Sequence, residues 1–203
     1  MNLLKRVYHL IIKRDVVSKF NTNKFGGFGK NSVLYKPLYI KNKKDIYIKE
    51  NTTILNNVRM QVYNDITKLD SKILIGKKCY IGYNASFLAG GNIIIEDGVL
   101  LASNILLSSE NHSINPECEE YYMEQPLISK DIIIKEGCWI GENAKILPGV
   151  TIGKKSVIGA GSIVTKDIPN YCIAVGAPAK VIKKYNFKTH RWECIEGEKN
   201  DLC

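Results

Sequence analysis

Residues 108–116 read SSENHSINP, and His112 at their centre is the one histidine of three, with His9 and His190, that adjoins a regular pattern. An imidazole changes charge near physiological pH, so one held exposed at a fixed edge suits the removal of a proton from an attacking group. Other chemistries are poorly supplied. Three histidines, of which one adjoins the pattern, do not make a zinc site of converging imidazoles. The six cysteines, Cys79, Cys118, Cys138, Cys172, Cys194 and Cys203, form no CxxC pair and no cluster, so neither a zinc ribbon nor a secreted disulfide framework is indicated. They are read as reduced thiols. No serine or cysteine stands on a recognisable nucleophile turn, so the expected chemistry needs a base, no metal and no covalent intermediate.

The chain has 203 residues, 45% hydrophobic and 24% charged, enough for one domain or one elongated array. Its net charge of +9 favours an anionic partner: nucleic acid, a membrane surface or a phosphate-bearing small molecule. Nucleic acid is disfavoured, because the lysines lack interleaved exposed aromatics and any recognised binding motif. No apolar stretch approaches the roughly 20 residues of a spanning helix, and Lys5 and Arg6 interrupt what would be a leader's apolar region. A cytoplasmic location is expected.

What must position His112 is a repeat. From Ile75 the chain divides into hexads, IGKKCY, IGYNAS, FLAGGN and, after two extra residues, IEDGVL, LASNIL, LSSENH. It resumes as IKEGCW, IGENAK, ILPGVT, IGKKSV, IGAGSI, VTKDIP, with Ile134, Ile140, Ile146, Ile152, Ile158 and Val164 in step. Small or medium residues recur four places on, among them Cys79, Ala85, Val99, Cys138, Ala144, Ser156 and Ser162. A period of six is neither 3.6 nor 2, so each unit holds a short strand and then a corner, and three units close a triangular coil. Stacked coils about 4.8 Å apart then form parallel sheets on three flat faces. Residues 113–131, SINPECEEYYMEQPLISKD, are too polar and irregular to continue the coil and must leave it as a loop. The beat stops at His112 because there the chain turns out.

The flanks are less regular. Ile48 and Ile54, with Thr52 and Val58 at the small position, place the start of the coils near residue 48, with TKLDSK at 67–72 as a junction. The division expected is an N-terminal cap segment over 1–47, a coil domain over 48–184 and a tail over 185–203. Leu3, Leu4, Val7, Tyr8, Ile11 and Ile12 fall at helical spacing among Lys5, Arg6, Lys13 and Arg14. A helix over residues 3–14 either caps the open end of the stack, which any coil array needs, or makes weak peripheral contact with an anionic bilayer.

The run from Ile75 to about Lys184 resembles the hexapeptide-repeat acyltransferases. The stretch GAGSIVTKDIPNYCIAVGAPAKVIKK is similar to the corresponding part of maltose, galactoside and Nod-factor O-acetyltransferases and of relatives that acetylate surface polysaccharides. The resemblance implies an all-β fold, a left-handed parallel β-helix with an excursion loop and short helical caps at both ends, a homotrimer, and acetyl-CoA as donor. The left hand comes from the resemblance alone, since general crossover rules favour the right. It also implies His112 as catalytic base and Asn84 as a contact to the acceptor, against a corner-capping role for that asparagine. The donor would lie between neighbouring β-helices against Gly141, Glu142, Ala160, Thr165, Lys166 and Lys183. Two of these depart from the family pattern: Glu142 stands where a small residue is common, and Lys183 where several relatives have arginine. The function implied is O-acetylation of a sugar hydroxyl, of a cell-surface glycan or its precursor. The alternatives are N-acetylation of an amino sugar nucleotide and a non-catalytic scaffold.

Overall fold

The computed structural model describes residues 22–195, and the helix expected over 3–14 lies outside them. Six full coils run through them, each of three short strands. The first coil holds β1 (Gly27–Phe28), β2 (Val33–Leu34) and β3 (Tyr39–Lys41); the second holds β4 (Ile46–Ile48), β5 (Thr53–Ile54) and β6 (Arg59–Val62). After a one-turn helix α1 (Asn64–Thr67), the third coil has β7 (Ile73–Ile75), β8 (Tyr80–Ile81) and β9 (Ser86–Ala89). The fourth has β10 (Ile93–Ile95), β11 (Leu100–Leu101) and β12 (Leu106–Ser108). An antiparallel pair, β13 (Glu110–His112) and β14 (Leu127–Ser129), precedes the fifth coil of β15 (Ile132–Ile134), β16 (Trp139–Ile140) and β17 (Lys145–Ile146). The sixth comprises β18 (Thr151–Ile152), β19 (Val157–Ile158) and β20 (Ile163–Val164). First, second and third strands of the coils stack into three separate parallel sheets, here called faces A, B and C.

Register shows how insertions are accommodated. Ile133 pairs with Thr151, 18 residues on, which is three hexads without interruption. Ile73 pairs with Ile93 after 20 residues, Ile46 with Ile73 after 27, and Ile93 with Ile132 after 39. The same offsets hold on the other two faces at each level. The extra residues, α1 among them, therefore leave and re-enter at corners, and the ladders carry on undisturbed.

Aliphatic side chains form one continuous interior column, including Ile46, Ile73, Ile93 and Ile132 behind face A, each fully buried. Each such side chain contributes roughly 1.5–3 kcal/mol of burial. The small residues of the repeat fill the bends, where Thr52 donates to the Gly76 carbonyl at 2.8 Å and Ser156 to that of Pro169 at 2.7 Å. Their size and their hydroxyls serve the same corners: there is little room, and the turning backbone leaves carbonyls that need a donor. Asparagine and glycine take the left-handed corner positions, as at Asn84, Asn104, Asn143 and Gly161.

Three expectations are corrected. The coils begin at Gly27, not near 48, so residues 27–47 belong to the stack; FGGFG carries no aliphatic beat, and its strand closes against β4 by backbone pairing. At the other end no helical cap is found among the described residues. β21 (Cys172–Gly176) adds to face B in parallel, then β22 (Ala179–Asn186) and β23 (Arg191–Cys194) fold back antiparallel on it, so residues 185–194 extend a sheet. Tyr185 meets Phe187 and Trp192 edge-on there, an aromatic cluster that holds the hairpin. Cys79, Cys118, Cys138 and Cys172 are free thiols, as expected, whereas Cys194 is disulfide-bonded.

Candidate active site

The excursion is rooted at Ser109, which is fully buried. Its amide donates to the Leu88 carbonyl at 2.9 Å, its hydroxyl donates to the Gly91 carbonyl at 2.8 Å, and its own carbonyl accepts from the Lys130 amide at 3.0 Å. The chain thus leaves and returns through one residue, at the corner joining faces C and A. Gly90 makes room for it: a Cβ there would meet Glu110 Cβ at 2.5 Å and Ser129 Oγ at 2.6 Å. Three residues out, His112 ends β13, paired with Leu127 of β14, and its imidazole is exposed. Its ring makes no hydrogen bond or ion pair among the described residues.

Beyond β13 the loop is shaped from within. Gln125 is 4% exposed; its amide nitrogen donates to the carbonyls of Asn115 at 3.1 Å and Glu120 at 3.0 Å, and its oxygen accepts from the Asn115 amide at 3.2 Å. A single glutamine closes the loop on itself, leaving Ile114, Tyr121, Tyr122 and Met123 exposed around the tip. Below the loop, Tyr63 at the same corner is held above the ordinary phenol range by burial, with the Glu110 carboxylate adding to the effect.

The remaining candidates divide between two corners. Gly141, Glu142 and Ala160 stack where face B turns into face C: a Cβ on Gly141 would lie 2.6 Å from the Ala160 amide nitrogen, and the Gly161 amide donates to the Glu142 carbonyl at 2.7 Å. Asn84 occupies the same corner lower down. Its side chain donates to Asn104 at 2.9 Å, which in turn donates to the Glu142 carboxylate at 3.1 Å, so Asn84 and Glu142 end a polar ladder running up the edge. The corner-capping role of Asn84 is therefore present, with a backbone φ of 57°. Thr165 and Lys166 follow β20 at the other corner, the one where His112 emerges one coil pair below. Lys183 lies on β22 beside Ile173, outside face B. Of the other lysines near this end, Lys154 is paired with Glu136 at 2.8 Å.

Within one chain, then, His112 and Asn84 stand at opposite edges of face C. Six extended residues separate Asn84 from Gly90, on which the excursion rests, which is roughly 20 Å. No group of three or more metal-ligating side chains occurs among the described residues. Sequence reasoning missed Ser109, Gly90 and Gln125. The glycine pair at 90–91 was a legible signal of close backbone approach, but nothing in the irregular loop marks Gln125 out.

This prismatic stack with an outlying histidine is one that known proteins share. Residues 131–166 match the family described as bacterial transferase hexapeptide (six repeats), and residues 72–109 match the hexapeptide repeat of succinyl-transferase. Galactoside O-acetyltransferase of Escherichia coli K12 is 42% identical over 116 residues, which are 57% of this chain and 56% of that protein. A second protein of the same strain, named provisionally for O-acetyl transfer in lipopolysaccharide biosynthesis, is 30% identical over 166 residues, 77% of this chain and 81% of its own length. Among solved structures, a maltose O-acetyltransferase from Clostridium difficile 630 superposes with a TM-score of 0.58 at 28% identity, covering 89% of this chain and 84% of that one. AntD, an N-acyltransferase from Bacillus cereus solved with dTDP and coenzyme A, gives 0.70 at 23% identity over 86% and 94%, a likeness of fold.

The chain belongs to the hexapeptide-repeat transferase family. It spans 51–59% of the length of the galactoside O-acetyltransferases and two other acetyltransferases it matches.

Proposed function

We propose that the protein is an acetyl-CoA-dependent O-acetyltransferase acting on a sugar hydroxyl, assembled as a homotrimer of left-handed β-helices. The observation that carries this reading is the exposed, unpartnered imidazole of His112, set by Ser109 and β14 at the one corner where the stack opens. His112 takes the proton of the acceptor hydroxyl as its oxygen attacks the thioester carbonyl. The tetrahedral intermediate collapses with loss of the coenzyme A thiolate, a good leaving group, which takes up a proton as the O-acetyl sugar departs. Backbone amides of the groove are suited to hold the developing oxyanion.

Trimerisation follows from the separation of the candidates. Asn84, Glu142 and Ala160 on one corner and His112, Thr165 and Lys166 on another meet around one ligand only if two copies each supply a corner. Glu142 keeps its carboxylate on Asn104, so its contribution to the donor groove is backbone. The relatives named for galactoside, maltose and lipopolysaccharide acetylation support a sugar acceptor, and a cell-surface glycan or its precursor, met in the cytoplasm, is the class we favour.

Thiol release from acetyl-CoA, followed across a panel of sugars, amino sugars and sugar nucleotides, tests the reading with wild-type and His112→Ala protein. The expected result is turnover with a hydroxyl acceptor and a loss on the order of 10² to 10⁴ in kcat for the variant, at unchanged acetyl-CoA affinity. Turnover with an amino sugar nucleotide alone would favour N-acetylation. Failure to bind acetyl-CoA in calorimetry would leave the scaffold.

A further inference from the structure

The apolar residues at 3–14 have found no role so far, and neither has one face of the prism. On face A the outward positions of four successive coils are Tyr47, Leu74, Ile94 and Ile133, directly opposite one another in the ladders. The stripe stops at Thr151 above and at Gly27 below, where Tyr47 lies over the glycine. Its lower part walls a groove of about 700 Å³ together with Phe28, Ile48 and Ile95, rimmed by Glu50, Glu96, Asp97 and Glu136. Four apolar rungs on an outer sheet face call for a cover.

The chain outside the described residues fits that cover in length, period and point of attachment. It joins at Thr22, immediately before β1, which is the first strand of face A itself. The end of the stack is already closed by Phe25, buried and edge-on to Phe28 at 5.8 Å, so an end cap is not what the segment has to supply. Four rungs at about 4.8 Å spacing span roughly 14 Å, and a twelve-residue helix over 3–14 is about 18 Å long. Its apolar pairs, Leu3 with Leu4, Val7 with Tyr8 and Ile11 with Ile12, recur every about 5.4 Å, close to the rise between coils. Three pairs meet the three grooves between four rungs. Residues 15–21, extended, reach up to about 23 Å, more than half the width of a face.

We propose that residues 3–14 lie as a helix along the outer side of face A, with these pairs seated between Tyr47, Leu74, Ile94 and Ile133. Lys5, Arg6, Lys13 and Arg14 then point to water. The proposal is independent of the transferase reading, since it concerns neither His112 nor the donor corner.

Maleimide labelling tests it in the full chain with Cys118→Ser as background, taking Ile94→Cys as probe and Glu119→Cys on the excursion as reference. Adding Val7→Asp with Ile11→Asp should speed labelling of Ile94→Cys at least about tenfold, the ratio for a face whose open state is a minor population, and leave Glu119→Cys unchanged. Equal rates at Ile94→Cys with and without the aspartates, fast or slow, would overturn it. Mild oxidation of a Val7→Cys, Ile94→Cys chain should form a bond within one chain. A product linking two chains would instead assign the segment to a second copy. Wild-type protein should stay in the supernatant with phosphatidylserine-rich vesicles, and sedimentation that the two aspartates abolish would assign residues 3–14 to a lipid surface and refute docking on face A.

Discussion

Gln125→Leu isolates the shaping of the excursion from the stability of the stack. The substitution keeps volume and removes three hydrogen bonds, two to carbonyls and one from the Asn115 amide, from a residue 4% exposed. At about 1 kcal/mol net for each bond the loop loses about 3 kcal/mol, and at about 1.4 kcal/mol per decade its opened state becomes roughly a hundredfold more populated. Limited proteolysis within residues 113–126 reads that population directly when reclosing is fast, so cleavage should accelerate by roughly two orders of magnitude. The coils below contribute nothing to these bonds, so Tm should fall by less than about 4 °C. Because β14 pairs with β13, kcat should drop along with loop closure while acetyl-CoA affinity holds. Cleavage accelerated by less than about threefold would refute the glutamine's role; a fall in Tm matching the loop's whole loss would show that the excursion and the stack unfold as one.

Three further outcomes are expected. Ala160→Trp, at an exposed corner position, should raise the KM for acetyl-CoA without changing Tm; unaltered donor kinetics would count against that corner as the donor groove. Co-assembly of His112→Ala copies with Ala160→Trp copies, each inactive alone, should restore about a quarter of wild-type activity, because random mixing gives that share of sites both intact corners. Sedimentation should give a trimer in both cases, and complete absence of recovery would place the whole site within one chain. Burial pushes the Cys138 thiol up to about 11. Its folded-state value lies above the unfolded one, so its contribution to stability is intact at neutral pH and declines as pH rises from about 9 towards 11. Denaturant midpoints in wild type should show that decline, and Cys138→Ala should flatten it.

The repeat was legible because strand, corner and small residue recur in register, and the structure places Ile134, Ile140, Ile146, Ile152, Ile158 and Val164 in the interior as the period requires. Where the sequence was silent, backbone pairing governs. The first coil rests on Gly27 and Phe28 against Tyr47 and Ile48, and the C-terminal hairpin rests on an antiparallel ladder whose aromatic contacts have no fixed spacing. For the site, the break in the beat located His112, but the division of the other candidates between two corners could not be read from a linear pattern. Asn84 shows the limit most plainly, since one asparagine satisfies its own corner and borders the candidate groove at once.

The offsets of 18, 20, 27 and 39 residues between stacked strands have an evolutionary meaning. A scaffold that tolerates any length of chain between Ser109 and Lys130 without moving a rung lets selection rewrite the excursion, by insertion as readily as by substitution, at almost no risk to folding. Recognition of a new acceptor would then need no new architecture. Lineages carrying this stack are free to diversify at the corner beside the histidine while the prism beneath stays the same.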